Sequence, residues 1–326
     1  MIKNKDTFEL DSEVLHILLK DNSSGKNIIW AIDDYAYLGY GYLSHQHIKE
    51  ELITGDKEYL IKSRIFKTKD TQKSRSKEKA EVFTPSWVCN VQNNLVDNVW
   101  FGIEGVFNIE CGKEWTATTN HIIFPIGKSW QDYVQDVRME ITCGEAPYLV
   151  SRYDTCTGES IDIKNRIGLL DRKLRVVSEN THSNEEWTHW AKIAVQSIYG
   201  FEWQGDNLII ARKNILYTFV EYYTDMFGCC PDKECIKEIA EIISWNIWQM
   251  DGLKGVIPNS CGERQIVSQN LLGEEVIEVQ KCNGCEKNDI HKHNGIYCKI
   301  KDWTTGEVLK FVSLMKKIII IFENSF

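Results

Sequence analysis

The chain has 326 residues, 43% of them hydrophobic and 26% charged, which is enough to bury the core of one large domain or two smaller ones. Its net charge of −9 argues against a protein that coats nucleic acid through overall charge, although a local basic patch is compatible with it. Residues 1–10 carry no apolar signal core, and the apolar run 318–322 is too short to span a bilayer. We therefore expect a cytoplasmic protein without a membrane partner, whose eleven cysteines are buried thiols or metal ligands.

Residues 1–79 are predicted to form an N-terminal helical and basic segment. The pattern over 44–66 is helical, with Ile48, Leu52, Tyr59 and Leu60 among polar positions. A tract rich in cations follows and contains Lys62, Arg64, Lys67, Lys69, Lys73, Arg75, Lys77 and Lys79. This tract is either a solvated, partly disordered linker or a strap that contacts phosphates and gives an acidic protein a local site for DNA.

Strand and helix signals alternate over residues 80–258, which indicates an α/β domain with a mainly parallel sheet. Thr84 followed by Pro85 predicts the start of an amphipathic helix over 88–100, with the threonine hydroxyl as cap. Short strands and turns are expected over 101–128, and a turn-rich excursion over 154–168. Further helices are predicted near 129–137, 185–199, 207–223 and 235–245, and strands near 139–142, 200–202 and 247–251.

Three short segments fall where strands of such a sheet would end, and a doubly wound sheet binds its ligand at the carboxyl ends of its strands. The first covers 140–147, where Glu140, Thr142 and Gly144 are candidate contacts because a small residue and a glycine let the backbone approach a ligand closely. Each such segment alone is more often an ordinary turn.

The other two segments supply acidic residues. In 199–207, Glu202 is placed to accept hydrogen bonds from both hydroxyls of a ribose, and Trp203 beside it to stack on a base. In 246–251, Asp251 is placed to accept from an adenine amino group. A lone acidic residue at a strand end is otherwise usually solvated or caps a helix.

The order and spelling of these segments resemble the adenine-specific DNA methyltransferases of restriction–modification systems over residues 75–258. Glu81-Val-Phe-Thr-Pro85 is similar to the F-x-T-P signature, and residues 140–146 are similar to the D-P-A-C-G-S-G loop. Residues 199–214 resemble Y-G-x-E…A-R-x-N, and 246–253 resemble N-I-x-x-G-D-x-L. The sequence departs from the family's first loop at Ile141, Glu145 and Ala146, where the glutamate would either repel a carboxylate ligand or cap the next helix.

The resemblance implies a Rossmann-like methyltransferase fold that binds S-adenosylmethionine through residues 80–258, and DNA and other restriction–modification subunits as partners. It implies that Phe83, Thr84 and Pro85 contact the methionine part of the cofactor, Glu202 the ribose and Asp251 the adenine. The expected function is that of the modification subunit. The alternative is a non-catalytic DNA-recognition or assembly subunit with a degenerate methyltransferase fold.

The family's catalytic Asn-Pro-Pro-Tyr loop is absent from these 326 residues, because none of the five prolines is adjacent to another. That loop grips the amino group of an adenine flipped out of the duplex. We therefore expect little or no activity from this chain alone. The expectation is either a truncated reading frame or a catalytic half on another chain.

Residues 259–326 are predicted to form a small C-terminal segment with a zinc knuckle. Cys282-Asn-Gly-Cys285 supplies two ligands, and His293 and Cys298 supply the other two, with His291 as the competing third ligand. Four protein ligands leave no open position, so the zinc would be structural. The alternative is a polar loop with free thiols.

Overall fold

The computed structural model describes residues 10–78, 81–269 and 275–315; Lys79 and the apolar run 318–322 lie outside them. The helices are α1 (Ser12–Leu19), α2 (Lys69–Glu78), α3 (Ser86–Phe101), α4 (Trp130–Gln135), α5 (Leu169–Asn180), α6 (Asn184–Gln196), α7 (Gly205–Phe227), α8 (Lys233–Asn246) and α9 (Asn283–Lys287). The strands are β1 (Asn108–Cys111), β2 (Glu114–Ala117), β3 (Arg138–Glu140), β4 (Ile198–Glu202), β5 (Ile247–Gln249), β6 (Arg264–Gln269), β7 (Glu275–Gln280), β8 (Lys299–Lys301) and β9 (Val308–Lys310).

A parallel sheet organises the fold, which is mixed α/β as predicted. Strands β3, β4 and β5 lie side by side in chain order, with Glu140 opposite Gly200 and Glu202 opposite Gln249. Parallel strands need long crossovers, and α5 with α6 and α7 with α8 supply them here. The carboxyl ends of the three strands therefore share one edge of the sheet. The pairs β1–β2, β6–β7 and β8–β9 are separate antiparallel ribbons.

The N-terminal segment packs into the same core as the helices around this sheet. Leu18 and Trp30 are fully buried in one cluster with Trp187 of α6. The close approach requires a glycine at the start of α7, because a Cβ on Gly205 would lie 2.1 Å from the carbonyl oxygen of Ile29. Residues 10–78 are thus built onto the α/β unit rather than tethered beside it.

The helix predicted over 44–66 is wrong. Short 3₁₀ turns at Glu50–Leu52, Gly55–Lys57 and Arg64–Phe66 take its place. Gly55 has a φ of +61°, a left-handed conformation that ends any α-helical run through this position. Irregular turns, and not a helix, place the apolar residues whose spacing suggested a helix.

The cap predicted for α3 is also corrected. The helix begins at Ser86, so Pro85 occupies the cap position and Thr84 lies before it. The N–H of Ser86 is instead satisfied from outside, by Oδ2 of Asp154 at 2.7 Å. The 154–168 excursion therefore returns to hold the start of α3. None of the described helices is long and apolar enough to cross a membrane.

Candidate functional site

A cleft of about 1070 Å³ lies at the carboxyl ends of β3, β4 and β5. Eight of the nine residues that the sequence predicts as cofactor contacts line it: Phe83, Thr84, Glu140, Thr142, Gly144, Glu202, Trp203 and Asp251. Pro85 does not line the cleft and occupies the cap position of α3. Four segments that are far apart in the sequence thus converge on one cavity.

The loop after β3 is attached to the neighbouring strand through its backbone. The N–H of Gly144 donates to Oε2 of Glu202 at 2.9 Å, and the N–H of Cys143 donates to the carbonyl oxygen of Phe201 at 2.8 Å. Thr142, Gly144 and Ala146 all have left-handed φ angles, of +50°, +54° and +66°. The two non-glycine residues carry backbone strain in this loop, and of these two Thr142 lines the cleft.

Glu202 ends β4 and is only 6% exposed. Burial raises the pKa of its carboxyl to about 7, although hydrogen bonds from the N–H groups of Gln204 and Gly144 act in the opposite direction. These two bonds, at 3.1 and 2.9 Å, use one acceptor position on each oxygen. A carboxylate has about four such positions, so Glu202 can still accept from ligand hydroxyls.

Glu140 ends β3 and is buried beside the same loop. Its two oxygens accept from the N–H of Tyr148 at 3.4 Å and from that of Leu149 at 3.2 Å. Burial raises the pKa of its carboxyl well above the usual range. Glu140 therefore has two roles: it lines the cleft, and its hydrogen bonds hold the two ends of the loop 141–149 together.

Asp251 follows β5 and turns its carboxylate into its own loop. Oδ1 accepts from the N–H groups of Leu253 at 3.0 Å and Lys254 at 3.2 Å. The Lys254 ammonium lies 3.6 Å from Oδ2. The predicted acceptor is at the cleft, and its orientation is fixed by this turn.

Trp203 forms a half-buried wall of the cleft. Its indole N–H donates to the carbonyl oxygen of Ala31 at 3.3 Å. Ala31 and Ile32, which also line the cavity, belong to the N-terminal segment. Sequence reasoning missed this contribution, because nothing in the spelling of residues 28–33 indicates a binding site.

Glu145, a departure from the family's loop, neither caps a helix nor remains unpaired. Oε1 accepts from the backbone N–H of Arg64 at 2.6 Å, and Oε2 accepts from the hydroxyl of Tyr153 at 2.5 Å. The residue is 1% exposed, and burial raises the pKa of its carboxyl. It ties the loop after β3 to the N-terminal segment.

The basic tract is divided between interior and surface. Lys67 and Arg75 are buried and contact Oδ2 of Asp206 at 3.1 and 2.7 Å. Although burial raises the pKa of Asp206, these two cations hold it at about 2. Arg75 also lies 3.1 Å from Oε2 of Glu81, at the rim of the cleft. Part of the tract is therefore a structural ion network, and residues 69–78 are helical rather than disordered.

Several buried acceptors of residues around the cleft lack hydrogen-bond partners. Oε1 of Glu81, Oε1 of Gln204 and Oδ1 of Asn207 make no hydrogen bond within the part of the chain that the structure describes. Buried acceptors without partners are unfavourable, and ordered water or a ligand donor would satisfy them. The three strand ends carry carboxyl groups at Glu140, Glu202 and Asp251, and burial raises the pKa of the first two.

A second cluster lies in the C-terminal segment and consists of Cys261, Cys282, Cys285 and His293, hereafter the Cys3His cluster. Sγ of Cys261 lies 3.1 Å from that of Cys282, 3.5 Å from that of Cys285 and 3.3 Å from Nδ1 of His293. All four ligand atoms lie within 4.8 Å of one another. This arrangement could hold a metal ion such as zinc.

The fourth predicted ligand is corrected from Cys298 to Cys261. Cys298 is fully buried elsewhere, with Sγ 3.2 Å from the carbonyl oxygen of Gln249. His291 does not belong to the cluster, and its backbone N–H donates to Asp289. Sequence spacing missed Cys261 because the β6–β7 ribbon separates it from Cys282.

No protein-family model matches the chain, and neither a curated protein nor a solved structure is significantly similar to it. The fold and function of this chain are therefore inferred from its residues and their geometry.

Proposed function

We propose that this chain is an S-adenosylmethionine-binding subunit of an adenine-specific DNA methyltransferase of the restriction–modification type, inactive in methyl transfer by itself. One observation carries the proposal. Four segments that resemble that family's cofactor motifs, and that lie up to about 170 residues apart, line one cleft. The parallel sheet brings the three strand-end segments together, and the segment 81–84, which lies outside the sheet, reaches the same cleft.

The sheet supports a Rossmann-like fold. Three parallel strands in chain order, with helical crossovers and a cleft at their carboxyl ends, correspond to one half of a doubly wound sheet. In such a sheet the loop after the first strand approaches the ligand, and an acidic residue ending the second binds the ribose. The loop at 141–147 and Glu202 occupy these positions.

The residues fit the cofactor chemically. S-Adenosylmethionine carries a sulfonium and an ammonium against a single carboxylate, so its net charge is positive. The cleft offers carboxylates at Glu81, Glu202 and Asp251, with Lys77 as a cation at the rim. The free acceptor positions of Glu202 match its ribose hydroxyl donors.

In this proposal, the residues of the chain bind the cofactor and orient it. Glu202 would accept from the ribose hydroxyls, Asp251 from the adenine amine, and the segment with Phe83 and Thr84 would contact the methionine part. Bound there, the cofactor supplies a methyl group already activated on a sulfonium, so the remaining requirement is an aligned target amine. The loop that grips such an amine is absent from this chain, so this half of the site holds the donor and lacks the acceptor.

The surface of α2 supports DNA as the partner. Lys69, Lys73 and Lys77 repeat at the spacing of one helix face and line a groove together with Arg64. All three lysines are exposed, and Lys77 also lines the cleft. A row of ammonium groups leading to the cofactor site is a suitable contact for a phosphate backbone.

Calorimetric titration with S-adenosylmethionine and its demethylated product tests the proposal. We expect micromolar binding of both ligands, weakened at least about tenfold by Glu202→Gln, which replaces one acceptor oxygen by an amide donor. Glu241→Gln, the same change at an exposed position of α8, is the matched control and should bind as the unmodified protein does. Equal binding by both variants would contradict the assignment of the site.

The second candidate is a non-catalytic DNA-recognition or assembly subunit with a degenerate cofactor site. The left-handed Ala146, where the family has a glycine, favours it, because strain in this loop works against a close backbone approach. Absence of binding at millimolar ligand, with DNA binding retained, would select this candidate.

A further inference from the structure

We propose that the Cys3His cluster binds one structural Zn²⁺ ion, and that this ion fixes the segment 250–261, whose first four residues line the cleft. Zinc binding by this cluster does not depend on the proposed function. An effect of the ion on cofactor binding does rest on the proposed function.

The spacing of the ligand atoms matches a tetrahedral site. Zinc bonds of about 2.3 Å to sulfur and 2.0 Å to nitrogen place neighbouring ligands roughly 3.5 to 3.8 Å apart. The sulfur atoms of Cys282 and Cys285 lie 3.6 and 3.7 Å from Nδ1 of His293. Cys261 lies slightly closer to the other three, at 3.1 to 3.5 Å.

The donor set selects the metal and its role. Three sulfur atoms and one imidazole nitrogen are soft and borderline ligands that favour zinc over calcium or magnesium. The backbone N–H of Asn294 points to the sulfur of Cys282 at 3.4 Å, an outer contact that stabilises a thiolate. Four protein ligands leave no position for a substrate, so the ion is structural.

Cys261 connects the cluster to the cleft along the chain. It ends the segment that begins with Met250 and Asp251, both of which line the cavity. Beyond it, Gly262 exchanges two hydrogen bonds with the side chain of Asn294, at 3.1 and 2.7 Å. Cys261 precedes Gly262 and His293 precedes Asn294, and the ion would join these two ligands.

A ladder of hydrogen bonds continues from there to the cleft. The N–H of Ile296 donates to Oγ of Ser260 at 3.0 Å, and the N–H of Ile257 donates to the carbonyl oxygen of Ile296 at 2.9 Å. The N–H of Asp251 then donates to the carbonyl oxygen of Val256 at 2.8 Å. The cluster and the Asp251 turn are thus the two ends of one hydrogen-bonded unit.

The apolar core beneath this unit is small. The unit belongs to a second, smaller core formed by Tyr199, Phe201, Trp248, Met250, Ile257, Cys298 and Ile300. Small cores commonly need a staple, and in small metal-binding modules metal binding supplies free energy of folding. Loss of the ion should therefore loosen residues 251–262 while the main core stays folded.

Metal analysis of the full chain, purified without added metal, tests the site. We expect about one Zn²⁺ per chain, retained in His291→Ala and Cys298→Ala and reduced at least about fivefold in His293→Ala and Cys261→Ser. The two histidine variants are a matched pair, two residues apart. Fewer than about 0.2 Zn²⁺ per unmodified chain, or full retention in Cys261→Ser, would overturn the proposal.

Hydrogen exchange tests the role of the ion. Removal of zinc from the unmodified protein with a chelator should accelerate exchange in peptides covering 251–262 at least about tenfold, leave α7 unchanged, and be reversed by added Zn²⁺. Unchanged exchange in 251–262 after complete removal of zinc would overturn the anchoring role. Neither measurement uses S-adenosylmethionine, so a failure of cofactor binding leaves both results interpretable.

Discussion

Glu202 makes stability depend on pH in a definite direction. Its pKa, raised by burial to about 7, lies above the usual value, so the folded protein keeps this proton over a range where the unfolded chain has lost it. Stability should therefore fall as the pH rises from about 4.5 to 7, by on the order of 3 kcal/mol, and stay level above that.

The measurement is urea unfolding of the unmodified protein and of Glu202→Gln between pH 5 and 8. The variant cannot titrate at this position, so the difference in unfolding free energy between the two proteins isolates the carboxyl. A difference that does not change with pH would show that Glu202 has an ordinary pKa in the folded protein.

Arg212 is a single residue on which several elements depend. Its buried guanidinium donates to the carbonyl oxygens of Ile247, Leu18 and Ser244 at 2.7, 2.6 and 3.1 Å. Arg212→Met should cost more than about 3 kcal/mol of unfolding free energy, because these carbonyls lose their donors inside the core. Thermal and urea unfolding measure the loss, and Lys20→Met, an exposed cation lost nearby, should cost less than about 0.5 kcal/mol.

Among the elements, α3 depends on a cap that comes from another part of the chain. Asp154→Ala removes the acceptor of the Ser86 N–H and should cost about 1 to 2 kcal/mol. It should also weaken cofactor binding, since the residues that line the cleft at 81–84 lead directly into this helix. Asp154→Asn keeps one of the two acceptor oxygens and should lose less, because Oδ1 also accepts from Cys156 and Thr157. No loss in Asp154→Ala, by urea unfolding and calorimetry, would contradict a capping role.

Helix α2 allows a test of DNA contact through salt dependence. Replacement of Lys69, Lys73 and Lys77 by glutamine should lower affinity for DNA duplexes and reduce the slope of log K against log salt by about 3. The same triple change at the exposed Lys20, Lys26 and Lys287 is the control for net charge. Fluorescence anisotropy at several salt concentrations measures both. Equal effects of the two triples would contradict a local DNA site on α2.

Whether a helix could be predicted from the sequence depends on where its charged residues lie in the fold. Helices α3, α6, α7 and α8 were predicted, because their apolar residues repeat at helical spacing. Helix α5 was missed because Arg172 and Lys173 interrupt its apolar pattern, and yet both are buried. Arg172 pairs with Asp97 at 2.6 Å, and the Lys173 ammonium donates to Ser197. A buried cation paired through the fold looks like a surface residue in the sequence.

Only some residues of the candidate site could likewise be predicted from the sequence. Strand-end residues such as Glu202 and Asp251 were predictable, because parallel strands bring their carboxyl ends to one edge. The contributions of Ala31 and Cys261 were not, since long-range packing and the β6–β7 ribbon bring them in from outside their motifs. Sequence spacing predicts metal ligands that a single turn supplies, and it misses a ligand such as Cys261 that another part of the chain supplies.

At the scale of the whole molecule, cofactor binding and methyl transfer should be separable. With no adjacent prolines, the chain cannot form the loop that grips the target amine. We expect S-adenosylmethionine to bind and no labelled methyl group to reach adenine in mixed-sequence DNA. Incorporation above that of Glu202→Gln would show that this chain holds the amine by other means.

The order of strands in the parallel sheet also affects how the protein behaves in concentrated solution. Among the described residues, the sheet ends at β3 on one side, and edge strands present backbone groups that recruit other strands. Val137, Met139 and Ile141 repeat every second residue along this edge and are 65%, 40% and 67% exposed. We expect reversible self-association that grows with concentration and that Val137→Lys suppresses in light scattering, whereas Val99→Lys, at a helical position that is 86% exposed, does not. Colloidal stability would then depend on this sheet edge more than on the net charge of −9.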